Sequence, residues 1–394
     1  MKFSINFPVR IISGRGCVKA NSSELTLGKR AYIVTGSAGA AASGALGDVT
    51  DVLAERGIAY ESYGSVPANP PLLDAYNAGI KAREFGADFV IGIGGGSAMD
   101  AAKAVAAFAA NPEIAPEDIF DKNNLKCGAL PIVLVPTTAG TGSEANPYSV
   151  LSLPDGERKK TYNSPYAWAK VAFLDPKYTE SVNYSGTVST ALDAFAHALE
   201  SYLSPKADAL SMMLAEYAAK NIWDVLTQMP DEFTEEHRDM LCYASCAAGA
   251  AISITGTGFP HPLGYSLTML AGIPHGRACA VFHGDYIEYN MKTEQGAEKL
   301  NALAAALGAD LCQIYTDVDG VLYSDGCVVL YFCPAAKTEV IVPASTSSIQ
   351  YHAFDEAYVL QRIIFEGEAP DTAHEEYSQN LFPKAADVTI VYYS

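Results

Sequence analysis

The chain has 394 residues, 49% of them hydrophobic, and a formal net charge of −19. That length exceeds one ordinary core and suits two domains with an appendage, and the composition excludes a disordered chain. The acidic balance speaks against nucleic acid and anionic membrane as partners, because like charge repels, and it leaves small molecules.

The opening "MKFSINFPVRII" has no apolar core of signal-peptide length, and no apolar run is long enough to span a bilayer. A cytoplasmic protein without a membrane is therefore expected. From about residue 30 to 150, short β-branched runs alternate with Ala-rich helical stretches: "RAYIVTG", "GALGDVTDVLAERG", "DFVIGIGGGS", "AMDAAKAVAAFAA" and "LPIVLVPTTAGTGSE". This βαβ punctuation predicts a parallel sheet covered by helices, with ligand at the carboxyl ends of the strands.

Two turns in this region are rich in glycine. In the first, Gly94, Gly95, Gly96 and Ser97 follow an apolar strand and open a helix. A phosphate approaches backbone closely only where no Cβ intervenes, and a helix N-terminus offers free N–H groups and a positive dipole end. The general dinucleotide fingerprint requires a third glycine where Ser97 stands, so a plain tight turn stays open as the alternative. The second turn, "VPTTAGTGSE", also follows a strand and offers Thr137, Thr138, Thr141 and Ser143 hydroxyls. Its two readings are a Ser/Thr-capped loop and a wall for the nicotinamide side of a cofactor.

After "VAFLDP" the texture changes to long helical segments at 186–204, 207–228 and 235–255, so a helical second domain begins near residue 179. Within its first segment, "ALDAFAHALES" sets Asp193 and His197 four positions apart, on one helix face and able to converge on one point. That point is either a metal or nothing more than a local pair. His261 in "TGFPHPLGYS" and His275 in "AGIPHGRACA" follow, each flanked by small residues and proline. One carboxylate and three imidazoles suit Fe(II) or Zn(II) with positions left open for substrate, although any one His alone is more often structural. The eight cysteines contain no CxxC pair. Buried free thiols are expected, with Cys242 and Cys246 filling core.

Near residue 309 the pattern turns to strand and turn, as in "GCVVLYFCPAAKTEVIVPAS", "LQRIIFEGEAP" and "ADVTIVYYS". Residues 309–394 carry 13 Asp or Glu against 3 Lys or Arg, which marks a different module. The three parts are read as 1–178, 179–308 and 309–394.

The elements "FPVRIISGRG", "GGGSAMDAAKA", "VPTTAGTGSE" and "LDAFAHALES", with the step from His261 to "IPHG" at His275, give residues 1 to about 308 a specific resemblance. In their order and spacing they resemble the iron-containing (group III) alcohol dehydrogenases. The resemblance implies an α/β, Rossmann-like dinucleotide-binding domain followed by an all-α domain, with the metal in the cleft between them. It implies hydride transfer between NAD(P) and a small primary alcohol or aldehyde, and a homodimer is a possible assembly. Asp193, His197, His261 and His275 would hold Fe(II), or Zn(II) in its place. Gly95, Gly96 and Ser97 would contact the pyrophosphate, while Thr138, Thr141 and Ser143 would line the cofactor cleft. Asp100 matches the acidic position after the glycines, with a helix pair to Lys103 as its plain alternative. Lys160 in "ERKKTY" would reach the ribose or phosphate, or be a solvated charge.

Two departures shape the expectation. Many NAD-using relatives carry an acidic residue after the first sheet strand, where this chain has Gly36; its absence removes a repulsion to a 2′-phosphate, so NADP(H) is favoured over NAD(H). Many members also carry a His four residues after the third ligand, where this chain has Tyr265, which would take over any proton relay. The tail, with "CPAAKT", "VPAS" and "IIFEGEAP", resembles a short β-rich fragment of the leucine-rich repeats of bacterial surface proteins. A chain whose last helices are replaced in this way would be either an active dehydrogenase or a non-catalytic chimera with a repeat-type binding segment.

Overall fold

The structure is a computed structural model. It describes residues 6–228 and 230–309, and beyond them residue 346 and the short strands named below. Two compact units are present, one of residues 1–270 with 274–280 and the other of 271–273 with 281–394.

The first unit begins with β1 (Arg10–Ser13), α1 (Cys17–Ala20), β2 (Arg30–Gly36), α2 (Gly39–Ala42) and α3 (Ala45–Glu55). There follow β3 (Ala59–Val66), α4 (Leu72–Phe85), β4 (Phe89–Gly94), α5 (Gly96–Ala110) and β5 (Ile132–Pro136). A hairpin of β6 (Tyr148–Ser152) and β7 (Lys159–Asn163) precedes β8 (Val171–Leu174). Six strands form one sheet in the order β1-β8-β5-β4-β2-β3, and every pairing in it is parallel.

A parallel sheet is buried on both faces, so its central strands read as continuous apolar runs. Successive residues point to opposite faces: Val90 and Leu134 pack in one core with Phe108 of α5, and Ile91 and Val133 in the other with Leu53 of α3. The alanines of α5 have a steric cause, since a Cβ added at Gly92 would lie 2.7 Å from that of Ala102. Larger side chains there would force helix and sheet apart, at roughly 1–3 kcal/mol. Asn111 ends α5, its amide donating to the Ala107 and Gly128 carbonyls.

Further helices of this unit are α6 (Tyr184–Leu203), α7 (Ala209–Thr227), α8 (Glu235–Thr255), α9 (Pro260–Ala271), whose last residue counts with the other unit, and α10 (His275–Ala280). The first three match the segments expected from sequence, and their starts are capped. Asn183 accepts from the Gly186 N–H, Asp208 from those of Leu210 and Ser211, and Thr234 from that of His237. Each cap satisfies donors that have no partner inside the helix. Gly256, with φ +72°, ends α8. Met213 and Tyr217 of α7 remain exposed apolar side chains.

The second unit holds α11 (His283–Met291), α12 (Glu294–Leu307) and short strands. In one sheet are β9 (Thr316–Val318), β10 (Val321–Tyr323) and β11 (Val329–Phe332), and in another is β12 (Glu339–Val342); β13 (Ser348–Ile349) joins the first sheet. The other sheet is completed by β14 (Arg362–Phe365) and β15 (Thr389–Tyr392). In it Glu339 pairs with Arg362 and Arg362 with Thr389, all in parallel. The strand character expected of the tail is therefore present in these segments, while most of the residues that carry the repeat resemblance lie outside the described residues.

Candidate metal and cofactor site

Strand connections run in opposite directions from β2 and β4, which are neighbours in the sheet. A crevice opens at such a switch point, outside the carboxyl ends of the strands. Gly36 ends β2 and Gly94 ends β4, and a Cβ on Gly94 would lie 3.9 Å from the Gly36 nitrogen. Gly94 has φ +147°, a backbone setting that favours glycine. Gly95 precedes α5 and leaves its N-terminus without a side-chain cap, so N–H groups there stay available for an anion.

The two glycine-rich turns touch. A Cβ on Gly95 would approach Thr138 Oγ1 to 3.2 Å, and one on Gly96 would approach Thr141 Cγ2 to 2.5 Å. Ser97 Oγ accepts from the Asn69 N–H at 3.2 Å. Asn69, at φ 59°, is the one non-glycine residue with positive φ among those described. Gly36, Gly95, Gly96, Ser97, Thr138 and Thr141 are thus brought to one region.

Asp100 and Ser143 are engaged differently. Ser143 Oγ donates to Asp100 Oδ1 at 2.7 Å, and Asp100 Oδ2 accepts from the Val150 N–H at 2.9 Å. Lys103, fully buried, donates to the Ser143 carbonyl and hydroxyl and to the Asn146 and Tyr148 carbonyls. Burial pushes its ammonium down to about 8, against the pull of Asp100 and Glu144. These residues tie α5 to the loop behind the turn. Lys160 is exposed, with its Nζ 4.6 Å from the Phe120 ring centre. Its neighbour Lys159 instead places Nζ 4.8 Å from the ring centre of Tyr265, and burial lowers that ammonium despite the charges of Asp193, Cys279 and Asp100.

The loop after β5 reaches the helices through backbone. A Cβ on Gly140 would stand 2.8 Å from Thr190 Cβ of α6, and one on Gly142 would stand 2.5 Å from the Ser245 carbonyl of α8. On α6, Asp193 and His197 are both buried. His261 lies in the first turn of α9 and His275 opens α10. Gly276 lets α10 press onto α6, because a Cβ there would overlap the Ser189 carbonyl.

Asp193 Oδ1 is 3.5 Å from His261 Nε2 and 3.8 Å from His275 Nε2. The His197 ring stacks on that of His261 with centroids 4.2 Å apart. Donor atoms of Asp193, His261, His275 and Cys279 all lie within 4.8 Å of one another. His197 stands beside this group. Tyr265 stacks on His275 at 5.0 Å between centroids.

Charges in the site follow from burial and crowding. Burial opposes ionisation of Asp193, yet His197, His261 and His275 outweigh it and hold the carboxyl below its ordinary range. Burial, then His261, pushes His197 down to about 4, and burial pushes His275 down to about 3 against the pull of Asp193. Burial also acts downward on His261, but Glu200 and Asp193 outweigh it and raise that imidazole to about 10. Without a metal, His261 is therefore the charged imidazole, beside neutral His197 and His275. Asp193 Oδ1, His197 Nδ1 and His261 Nε2 are buried without a hydrogen-bond partner. Such atoms cost about 1–3 kcal/mol each unless something else satisfies them, and a divalent cation fits that need.

Three residues here were not singled out from sequence. Glu200 is one turn beyond His197, Cys279 one turn beyond His275, and Lys159 one strand position before Lys160. The same i to i+3 or i+4 spacing that linked Asp193 to His197 would have flagged the first two. Strand parity separates the two lysines.

Comparisons with known proteins bear on the same regions. The family model for iron-containing alcohol dehydrogenase matches residues 8–176, and that for the C-terminal part of the Fe-containing alcohol dehydrogenase family matches residues 187–321. The sulfoacetaldehyde reductase of Bilophila wadsworthia is 34% identical over 282 residues, covering 69% of this chain and 72% of that protein. A crystal structure of an iron-containing alcohol dehydrogenase from Thermotoga maritima superposes with a TM-score of 0.74 at 37% identity, covering 79% of this chain and 85% of the other. The sulfoacetaldehyde reductase of Bifidobacterium kashiwanohense in complex with NAD+ gives a TM-score of 0.67 at 27% identity, covering 79% and 88%. With both domains matched in order, the chain belongs to the iron-containing alcohol dehydrogenase family.

Proposed function

We propose that the chain interconverts small primary alcohols and aldehydes by hydride exchange with a nicotinamide dinucleotide, at a divalent metal held by Asp193, His197, His261 and His275. The observation that carries this reading is the set of buried atoms without a hydrogen-bond partner, Asp193 Oδ1, His197 Nδ1 and His261 Nε2. When bound, Fe(II) or Zn(II) supplies a Lewis acid that acidifies a hydroxyl and polarises a carbonyl.

The protein's own contribution is binding, orientation and exclusion of water. In this reading Gly95, Gly96 and Ser97 receive the pyrophosphate at the start of α5, and Thr138 and Thr141 wall the cleft. Asp100 and Ser143 support that wall from behind, through Lys103. Lys159 faces the metal side of the cleft, and Lys160 is assigned to solvent. Tyr265, stacked on His275, is the side chain assigned to proton relay. NADP(H) is the favoured cofactor, because Gly36 puts no carboxylate at the end of β2 to repel a 2′-phosphate. NAD(H), the ligand of the Bifidobacterium reductase, is the alternative.

Dialysis against a strong chelator is expected to abolish NADPH-dependent aldehyde reduction, and Fe(II) or Zn(II) to restore it. Full turnover by a metal-free preparation would sink the reading.

A further inference from the structure

The four-ligand set of the proposed function contains only oxygen and nitrogen donors. Within the same cluster the structure places a sulfur. Cys279 lies one helical turn after His275, on the same face of α10 and fully buried. Its Sγ is 3.8 Å from His275 Nδ1 and 3.7 Å from Nε2.

Adjacent donors around one ion, at bond lengths of roughly 2.0–2.3 Å, stand about 2.8–3.8 Å from each other, whether the ion takes four ligands or five. The distances from Asp193 Oδ1 to His261 and His275, 3.5 and 3.8 Å, are close to that spacing, as are those from Sγ to His275. The whole group stays within 4.8 Å. Cys17, Cys242 and Cys246 are also buried free thiols, but they belong to no such cluster among the described residues. Gly264 opens room for the thiol, since a Cβ there would lie 2.9 Å from the Cys279 sulfur. Asp193 Oδ1 and His261 Nε2, buried and without a hydrogen-bond partner, share this cluster.

We propose that Cys279 is a further ligand of the metal, a soft thiolate donor added to the carboxylate and imidazoles. This rests on the reading of the site as a metal site. On binding, the S–H bond breaks, a sulfur–metal bond forms and the proton passes to solvent; no oxidant is needed. A thiolate moves the preference of a site away from Fe(II) and toward softer ions such as Zn(II).

Co(II) loading of the full-length chain tests both levels separately. Visible d–d bands report Co(II) in a protein site, and an intense near-ultraviolet charge-transfer band reports a Co(II)–thiolate bond. Both are expected in the native sequence. In Cys279→Ser the near-ultraviolet band should vanish while the d–d bands persist, with Zn(II) affinity reduced roughly 10–100-fold in chelator competition. Cys242→Ala, as a control thiol, should retain both. Visible bands without a thiolate band in the native chain, or a thiolate band unchanged in Cys279→Ser, overturn the role of Cys279 and leave the metal site standing. Failure of Co(II) and Zn(II) to bind the native chain at all overturns the metal site and the proposal together. Cys279→Ala provides a second variant if the serine form does not fold.

Discussion

Glu200 Oε1 lies 2.5 Å from His261 Nδ1, and the other carboxylate oxygen accepts from the Gly258 N–H. The contact fixes the proton on Nδ1 and turns Nε2 toward Asp193. A carboxylate behind an imidazole sets its tautomer and ring orientation and raises its basicity as a ligand. Glu200→Ala is therefore expected to weaken metal binding roughly 10–100-fold, as measured by chelator competition. Glu200→Gln should lose less, because its carbonyl still accepts from Nδ1. Equal metal affinity in all three proteins would show that Glu200 does not orient His261.

Gly276 carries a steric prediction. No Cβ fits between α10 and the Ser189 carbonyl, and the Asp193 nitrogen is 2.8 Å from where it would stand. Gly276→Ala must push α10 off α6, separating His275 and Cys279 from Asp193. The expected results are a lower melting temperature, reflecting about 1–3 kcal/mol of overpacking, and loss of bound metal during gel filtration.

Cofactor choice is expected to turn on Gly36. Gly36→Asp places a carboxylate at the end of β2, where it repels a 2′-phosphate and accepts from a ribose hydroxyl. The ratio of kcat/KM for NADPH to that for NADH should fall at least about tenfold, an energy of about 1.4 kcal/mol. An unchanged ratio would remove Gly36 from the specificity argument.

Glu144 gives a pH dependence of stability. Burial pushes its carboxyl from 4.5 up to about 7, against the pull of its own N–H, Lys103 and Cys246. The native state thus holds this proton more tightly than the unfolded chain does. Its contribution is full below pH 4.5 and is lost as pH rises through about 7. The loss is at most about 3 kcal/mol. Urea unfolding at intervals between those pH values should show the decline, and Glu144→Gln should flatten it.

Much of this was legible in the sequence where a local pattern suffices. The strand "RAYIVTG" is β2 in full, and α8 spans the 235–255 segment as read. Asp193, His197, His261 and His275 were found from spacing and resemblance, and they meet within one region of the fold. Lys159 was missed because the choice between adjacent lysines depends on strand parity, which the flanking residues of β7 do not reveal. For Asp100 the spacing leaves open a pair with Lys103, and its Oδ1 lies 4.0 Å from Lys103 Nζ; that Ser143 donates to Asp100 depends on how its loop packs on α5, a tertiary property. Cys279 stands four residues after His275, a legible spacing, but weighing the thiols only against one another leaves that pair unread.

Gly142 and Gly249 meet backbone to backbone, each occupying the space where the other's side chain would stand. Neither position can acquire a side chain by a change in the other alone, since both lack one already. The loop from Thr137 to Gly142 is pinned at this end by α8 and at the other by β5. One inserted residue would slide Thr138 and Thr141 off the glycines of α5 while also shifting Gly140 against Thr190. Loop length here is therefore a gauge that sets the separation between the glycine turn before α5 and the helix that carries Asp193, and lengthening it would be felt at both.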